Sequence, residues 1–205
     1  MGLVHVSRGE YELGLERYME ALRSCRSIGY QRREAGILPN LGHLYLLIGE
    51  PKRAERILRR GVRLAKQVRD NLVLADALLT LGVVFLEQGR FPKAESTLRK
   101  GQRLAVTTEV NYLRIHAHIA IARLLLLQKS EDALNQTLEN ATEAIRLGKV
   151  ASMAHGVVHG HHLVSLAHER LGNNEHALAS GAQALQEIEQ HAVVDFVTVL
   201  VEQAS

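Results

Sequence analysis

The chain has 205 residues, 46% of them hydrophobic and 23% charged, which is enough for a sizeable folded core and no sign of compositional disorder. Aromatic content is 4%, there is no Trp, and Pro occurs three times, so the sequence is poor in helix breakers and rich in Ala and Leu. Net charge is only +3, but it is divided: residues 1–103 carry +8 and residues 104–205 carry −5.

The single cysteine, Cys25, excludes an internal disulfide and points to a reducing, cytoplasmic setting, with the thiol expected as a small buried helix residue. The opening MGLVHVSRGEYEL lacks the basic start and apolar run of a secretory signal, and Val6 breaks a myristoylation pattern. The most apolar run, IAIARLLLLQ, is interrupted by Arg123 and is too short to span a bilayer.

In chain order, residues 10–28 predict a helix that reads as the second half of a hairpin whose first half is almost wholly missing. Its apolar face is then expected to need a cover. The chain is expected to be a fragment of a larger protein or to start short. Two segments follow that align without a gap at a period of 40. They are LGHLYLLIGEPKRAERILRRGVRLA at 41–65 and LGVVFLEQGRFPKAESTLRKGQRLA at 81–105. Gly42 and Gly82 are expected where a partner helix comes close. Leu41 and Tyr45 lie four apart and share a helix face. Gly49 and Gly89 are expected to end the first helix in a left-handed conformation. Pro51 and Pro92 fall near the first turn of the next helix, where a missing amide is tolerated. Weaker echoes precede and follow. Gly2, His5, Gly9, Gly14, Tyr18 and Ala21 fit the earlier period. Ile121, Ala122, Leu125, Leu138 and Ala141 fit the later one, with Lys129 in place of the turn glycine. Val164, Ser165, Gly172, Ala177 and Ala184 fit a fifth unit, three residues beyond the 40-residue spacing.

These residues resemble the tetratricopeptide repeat. The resemblance implies an all-α solenoid of antiparallel helix hairpins, with about five units over 1–205. The units are 1–34 (partial), 35–74, 75–114, 115–157 and 158–190, followed by a terminal capping helix or half-repeat at 191–205. The long period resembles the repeats of large bacterial regulators, such as MalT-like activators and the peptide-receptor regulators of Gram-positive bacteria. It implies a protein- or peptide-binding scaffold or sensor in a signalling or transcription protein. Two alternatives stand beside it. One is a self-association domain, since the two oppositely charged halves could pair. The other is nucleic-acid binding through Lys52, Arg53, Arg56, Arg59, Arg60, Arg63, Lys66 and Arg69, which spread over an outer face but lack interleaved aromatics.

The family's partner groove is lined by first helices. Carried onto this chain, it comprises Leu3 and Val6; Asn40, His43, Leu46 and Leu47; Thr80, Val83, Leu86 and Glu87; His116, Ile119, Arg123, Leu126 and Leu127; and His159, His162, Leu166, Glu169 and Arg170. The apolar members form either an open stripe for an amphipathic helix or extended peptide, or a set buried against one another by a tight superhelix. The clamp by which chaperone-binding relatives hold a terminal carboxylate is not assembled, because Asn40 is accompanied by His43, Thr80, Val83 and Arg123. His155, His159 and His162 share a helix face and are metal candidates, against the default of a polar groove wall. Gly156 and Gly160 weaken that helix, which is therefore expected to begin late. No Gly-rich phosphate loop, nucleophile elbow or zinc-protease helix occurs, so the expectation is binding without catalysis and without a cofactor.

Overall fold

The computed structural model describes residues 10–128 and 130–191; the expectations for Leu3, Val6, Lys129 and the terminal segment 192–205 lie outside the described residues. Among the described residues the secondary structure is nine α-helices: α1 Tyr11–Ser27, α2 Gln31–Leu47, α3 Pro51–Gln67, α4 Asn71–Glu87, α5 Phe91–Thr107, α6 Asn111–Leu126, α7 Glu131–Val150, α8 Ala154–Arg170 and α9 Asn174–His191. None is long and apolar enough to cross a membrane.

The 40-residue period has a simple origin. Successive helices start at residues 11, 31, 51, 71, 91, 111 and 131, so each half-period is a helix of 16 or 17 residues and a short turn. The extra three residues of the last unit sit inside α7, which runs for 20 residues where α3 and α5 run for 17. Each hairpin begins four residues before its expected boundary: Gln31, Asn71, Asn111 and Ala154 replace 35, 75, 115 and 158. The first helices start directly after the turn, because a single left-handed residue completes the reversal.

That residue is Gly29, Gly49, Gly89 or Gly172 at four turns, with φ between 68° and 77°. At three others it is Arg69, Glu109 or Ser152, with φ of 54°, 55° and 53°. The Gly49 amide donates to Leu46 O at 3.0 Å and the Glu50 amide to Tyr45 O at 2.8 Å. This paired closure satisfies carbonyls that the helix end would otherwise leave bare. Side-chain N-caps are rarer: Asp70 accepts from the Val73 amide and Ser130 from the Ala133 amide.

The chain divides into two compact units, Met1–Thr108 and Glu109–Ser205. In the first, α1 packs on α2, and the α2–α3 and α4–α5 hairpins stack so that α3 meets α4 and α2 meets α4. Leu22, Leu38, Leu41, Leu44, Leu58, Leu79 and Leu98 are fully buried there. Gly42 and Gly82 are pressed against Leu58 and Leu98, as expected of close-approach positions.

In the second unit, α6–α7 and α8–α9 repeat the arrangement, with α6 also against α8. Ile115, Ile119, Ala122, Leu126, Leu134, Leu147 and Leu163 share its core. Helix α8 corrects the expectation of a late start. It begins at Ala154 and includes both glycines. A Cβ on Gly156 would lie 2.8 Å from Ile115, and one on Gly160 2.4 Å from Ile145. Packing against α6 and α7 therefore offsets the roughly 1 kcal/mol that each glycine costs a helix.

Candidate functional site

The first helices of the hairpins are α2 and α4 in one unit and α6 and α8 in the other. Because each packs beside its neighbour, only a narrow strip of each is left to solvent.

On α2, His43 is exposed, and Asn40, Leu46 and Leu47 are half-buried. On α4, Glu87 is exposed and Val83 half-buried, while Thr80 and Leu86 are buried. On α6, Leu127 at the C-terminus is 46% exposed, and His116 and Arg123 are half-buried. Ile119 and Leu126, expected on the groove lining, lie in the core of the second unit instead, and Leu86 is similarly enclosed in the first. The flank of each first helix that carries them is covered by packed helices. On α8, His159, His162 and Leu166 are half-buried and Glu169 is exposed. Arg170 caps α6 by donating to the Leu126 carbonyl, a favourable place for a cation.

The histidines meet in pairs rather than as a ligand set. His155 and His159 stack edge to face with ring centroids 4.2 Å apart, and His116 stacks on Tyr112 at 6.3 Å. Among the described residues no three His, Cys, Asp or Glu side chains gather to hold a metal ion, so His155, His159 and His162 do not assemble as one.

A hollow of about 910 Å³ opens between α1 and α2 in the first unit. Tyr18, Cys25 and Ile37 contribute its apolar surface, and Arg33 and Asn40 stand on the α2 wall. Burial raises the Tyr18 pKa, so that hydroxyl stays protonated. Among the described residues Arg33 has no ion partner, whereas Arg17 pairs with Glu20 and Arg32 with Asp70 at the rim. The amide nitrogen of Asn40 donates at 3.4 Å to Gly36 O, a long bond that leaves its oxygen available. Of these residues only Asn40 was expected at the site. Tyr18, Leu22 and Cys25 lie at i, i+4 and i+7 and mark the inner face of α1. This is the apolar face expected to need a cover, and α2 packs against it.

The basic helix is partly neutralised. Arg60 turns inward to Glu34, Arg53 pairs with Glu50, and Arg59 pairs with Glu55. Burial pushes the Glu55 carboxyl up, but hydrogen bonds from Arg59, Gln88 and Arg90 together hold its pKa below the usual range. Arg59 and Arg90 also lie over the Phe85 ring, at 5.6 and 4.5 Å.

These features define the class: in each compact unit, stacked α-helical hairpins with left-handed turns, glycines at close helix crossings and partly open first helices. Residues 38–72 match the sequence model of the tetratricopeptide repeat, and the chain has the tetratricopeptide-repeat fold, one that supports protein–protein interaction. BtubC from P. vanneervenii is similar over 88% of this chain and 74% of its own, with a TM-score of 0.64 and 15% identity. The repeats of a putative kinesin light chain from P. anserina are similar over 92% of each chain, with a TM-score of 0.62 and 11% identity. A signal-transduction ATPase from Pyrococcus horikoshii, described as having a tetratricopeptide repeat sensor, is similar over 94% of this chain and 29% of its own, with a TM-score of 0.59 and 15% identity. No curated protein matches the sequence.

Proposed function

We propose that this chain is a protein- or peptide-binding module that acts by recognition and not by catalysis. Its ligand is an extended segment lying in the first unit, in the hollow between α1 and α2 and along α2 and α4. The observation that carries the reading is the hollow between α1 and α2, which combines apolar surface with Arg33 and the unspent oxygen of Asn40. An extended peptide offers the matching chemistry: an apolar side chain over Tyr18 and Ile37, a carboxylate to Arg33, and a backbone amide to Asn40. Along α2 and α4, His43, Leu46, Leu47, Val83 and Glu87 supply further contacts in the first unit. In the second unit, His116, Arg123, Leu127, His159, His162 and Glu169 line a first-helix face of its own, which we propose as a separate contact surface.

The setting we infer is the sensor or scaffold part of a bacterial signalling or transcription-regulatory protein in the cytoplasm. The support is analogy of fold to the repeat sensor of the P. horikoshii ATPase, together with a buried lone thiol that suits a reducing compartment.

The test is selection of peptides from a displayed library on the full chain, followed by calorimetric titration of the best one. Arg33→Ala with Asn40→Ala should weaken it at least about tenfold, the scale of a lost charge-assisted hydrogen bond. Ser96→Ala, on the exposed side of α5, should leave it unchanged. Binding indifferent to the Arg33 and Asn40 changes would remove the hollow from the ligand site.

A further inference from the structure

The charge division of the chain coincides with its two compact units: +8 belongs to residues 1–108 and −5 to 109–205. Its location is more specific than that. Helices α3 and α5 together hold eleven Lys and Arg against two Glu. Helices α7 and α9 hold seven Asp and Glu against two basic residues. All four are second helices of their hairpins, and none of their residues lines the α1–α2 hollow of the proposed peptide site.

Much of this charge is unspent. On α3, Lys52, Arg56, Arg63 and Lys66 are exposed and have no carboxylate partner among the described residues, and their spacing of four, seven and three places them in one stripe. Lys93, Lys100 and Arg103 on α5 are in the same condition. Opposite in sign, Glu131, Asp132 and Glu139 on α7 and Glu175 and Glu189 on α9 are exposed without a cationic partner among the described residues. Intramolecular pairing uses other residues, such as Glu143 with Arg114 and Arg146.

We propose that the exposed faces of α3 and α5 in one copy bind the exposed faces of α7 and α9 in another, so that the chain self-associates by charge pairing. A cationic surface alone would suit any polyanion. What selects a second copy is that this same chain displays a matching acidic surface on the same class of helix. The overall charge of +3 is too small for copies to repel strongly at long range.

The experiment is sedimentation velocity of the full chain at about 20 mM and about 1 M salt, conditions between which surface electrostatics are almost fully screened. A faster species should dominate at low salt and be lost at high salt. Arg56→Glu with Arg63→Glu should abolish it, and so should Glu139→Arg with Glu189→Arg. Circular dichroism of both variants should be unchanged, since these side chains are exposed. An equimolar mixture of the two variants should restore the faster species, because the reversed faces then match. The proposal is overturned by a wild-type chain that stays monomeric at low salt up to about 100 μM. It is also overturned if association survives the Arg56 and Arg63 changes. A monomer that binds a labelled oligonucleotide through those arginines would instead make α3 a nucleic-acid face.

Discussion

Gly42 on α2 lies directly against Leu58 on α3: a Cβ added to the glycine would come within 2.4 Å of Leu58 Cγ. Forty residues on, Gly82 and Leu98 repeat the contact, at 2.4 Å from Leu98 Cδ2. These crossings set how closely each hairpin closes. Gly42→Ala should destabilise the protein by about 1–3 kcal/mol, as overpacking of a fully buried leucine does. Gly36, on the same helix, has nothing within 4 Å of an added Cβ. Gly36→Ala should therefore be neutral or stabilising by up to about 1 kcal/mol, the helix-propensity gain. Urea denaturation of the two variants checks the contrast, and equal effects would mean that the crossing does not limit approach.

Arg69, Glu109 and Ser152 occupy left-handed turn positions that glycine fills elsewhere in the chain. A side chain there is strained by about 1–2 kcal/mol, less glycine's own entropic cost. Arg69→Gly should thus stabilise by up to about 1 kcal/mol, whereas Gly49→Ala should destabilise by about the same amount. Thermal melts of both variants, and of the Arg69→Ala control, give the comparison.

Glu34 is 5% exposed and accepts 2.8 Å ion-pair contacts from both Arg26 on α1 and Arg60 on α3. It ties three helices together. Glu34→Ala should cost about 2 kcal/mol, below the value for fully buried pairs because both guanidinium groups reach solvent. Glu20→Ala breaks the exposed pair with Arg17 and should cost under about 0.5 kcal/mol. Similar losses in chemical denaturation would contradict the claim that burial distinguishes the two pairs.

His161 on α8 is buried, and burial, then the Lys149 ammonium, lowers its pKa against an opposing pull from Glu187. His168 is lowered in the same way by burial and by His176. A depressed histidine binds fewer protons in the folded state than in the unfolded one. Stability is then complete above the unfolded value near 6.5 and is lost as pH falls through the folded value. The depressed carboxylates Glu55 and Glu143 stabilise the fold above the unfolded value of 4.5 and lose that contribution only below it, outside this pH window. Melting temperature should fall between pH 7.5 and about 5.5, and His161→Asn should flatten that slope. An unaltered slope would place its source elsewhere.

The helical class, the hairpin period and the close-approach glycines were legible from residue types at fixed spacing. Leu41, Gly42, Gly49 and Leu58 recur, and Phe85 replaces Tyr45, because each position performs the same local task in each hairpin. Period and glycine placement are local chemistry, set within one helix pair, so a linear pattern carries them. What only the tertiary structure decided is which side of each first helix remains open. Leu86, Ile119 and Leu126 have the same apolar character as Leu46 and Leu127, but neighbouring helices cover the first three and leave the others partly in solvent. Gly156 and Gly160 read as helix breakers until Ile115 and Ile145 are seen filling their space. Arg60 looks like its neighbours on the basic helix, yet it turns inward because Glu34, 26 residues earlier, lies beneath it. Burial depends on residues far apart in the chain, which is why composition and spacing could name the repeat but not its open surface.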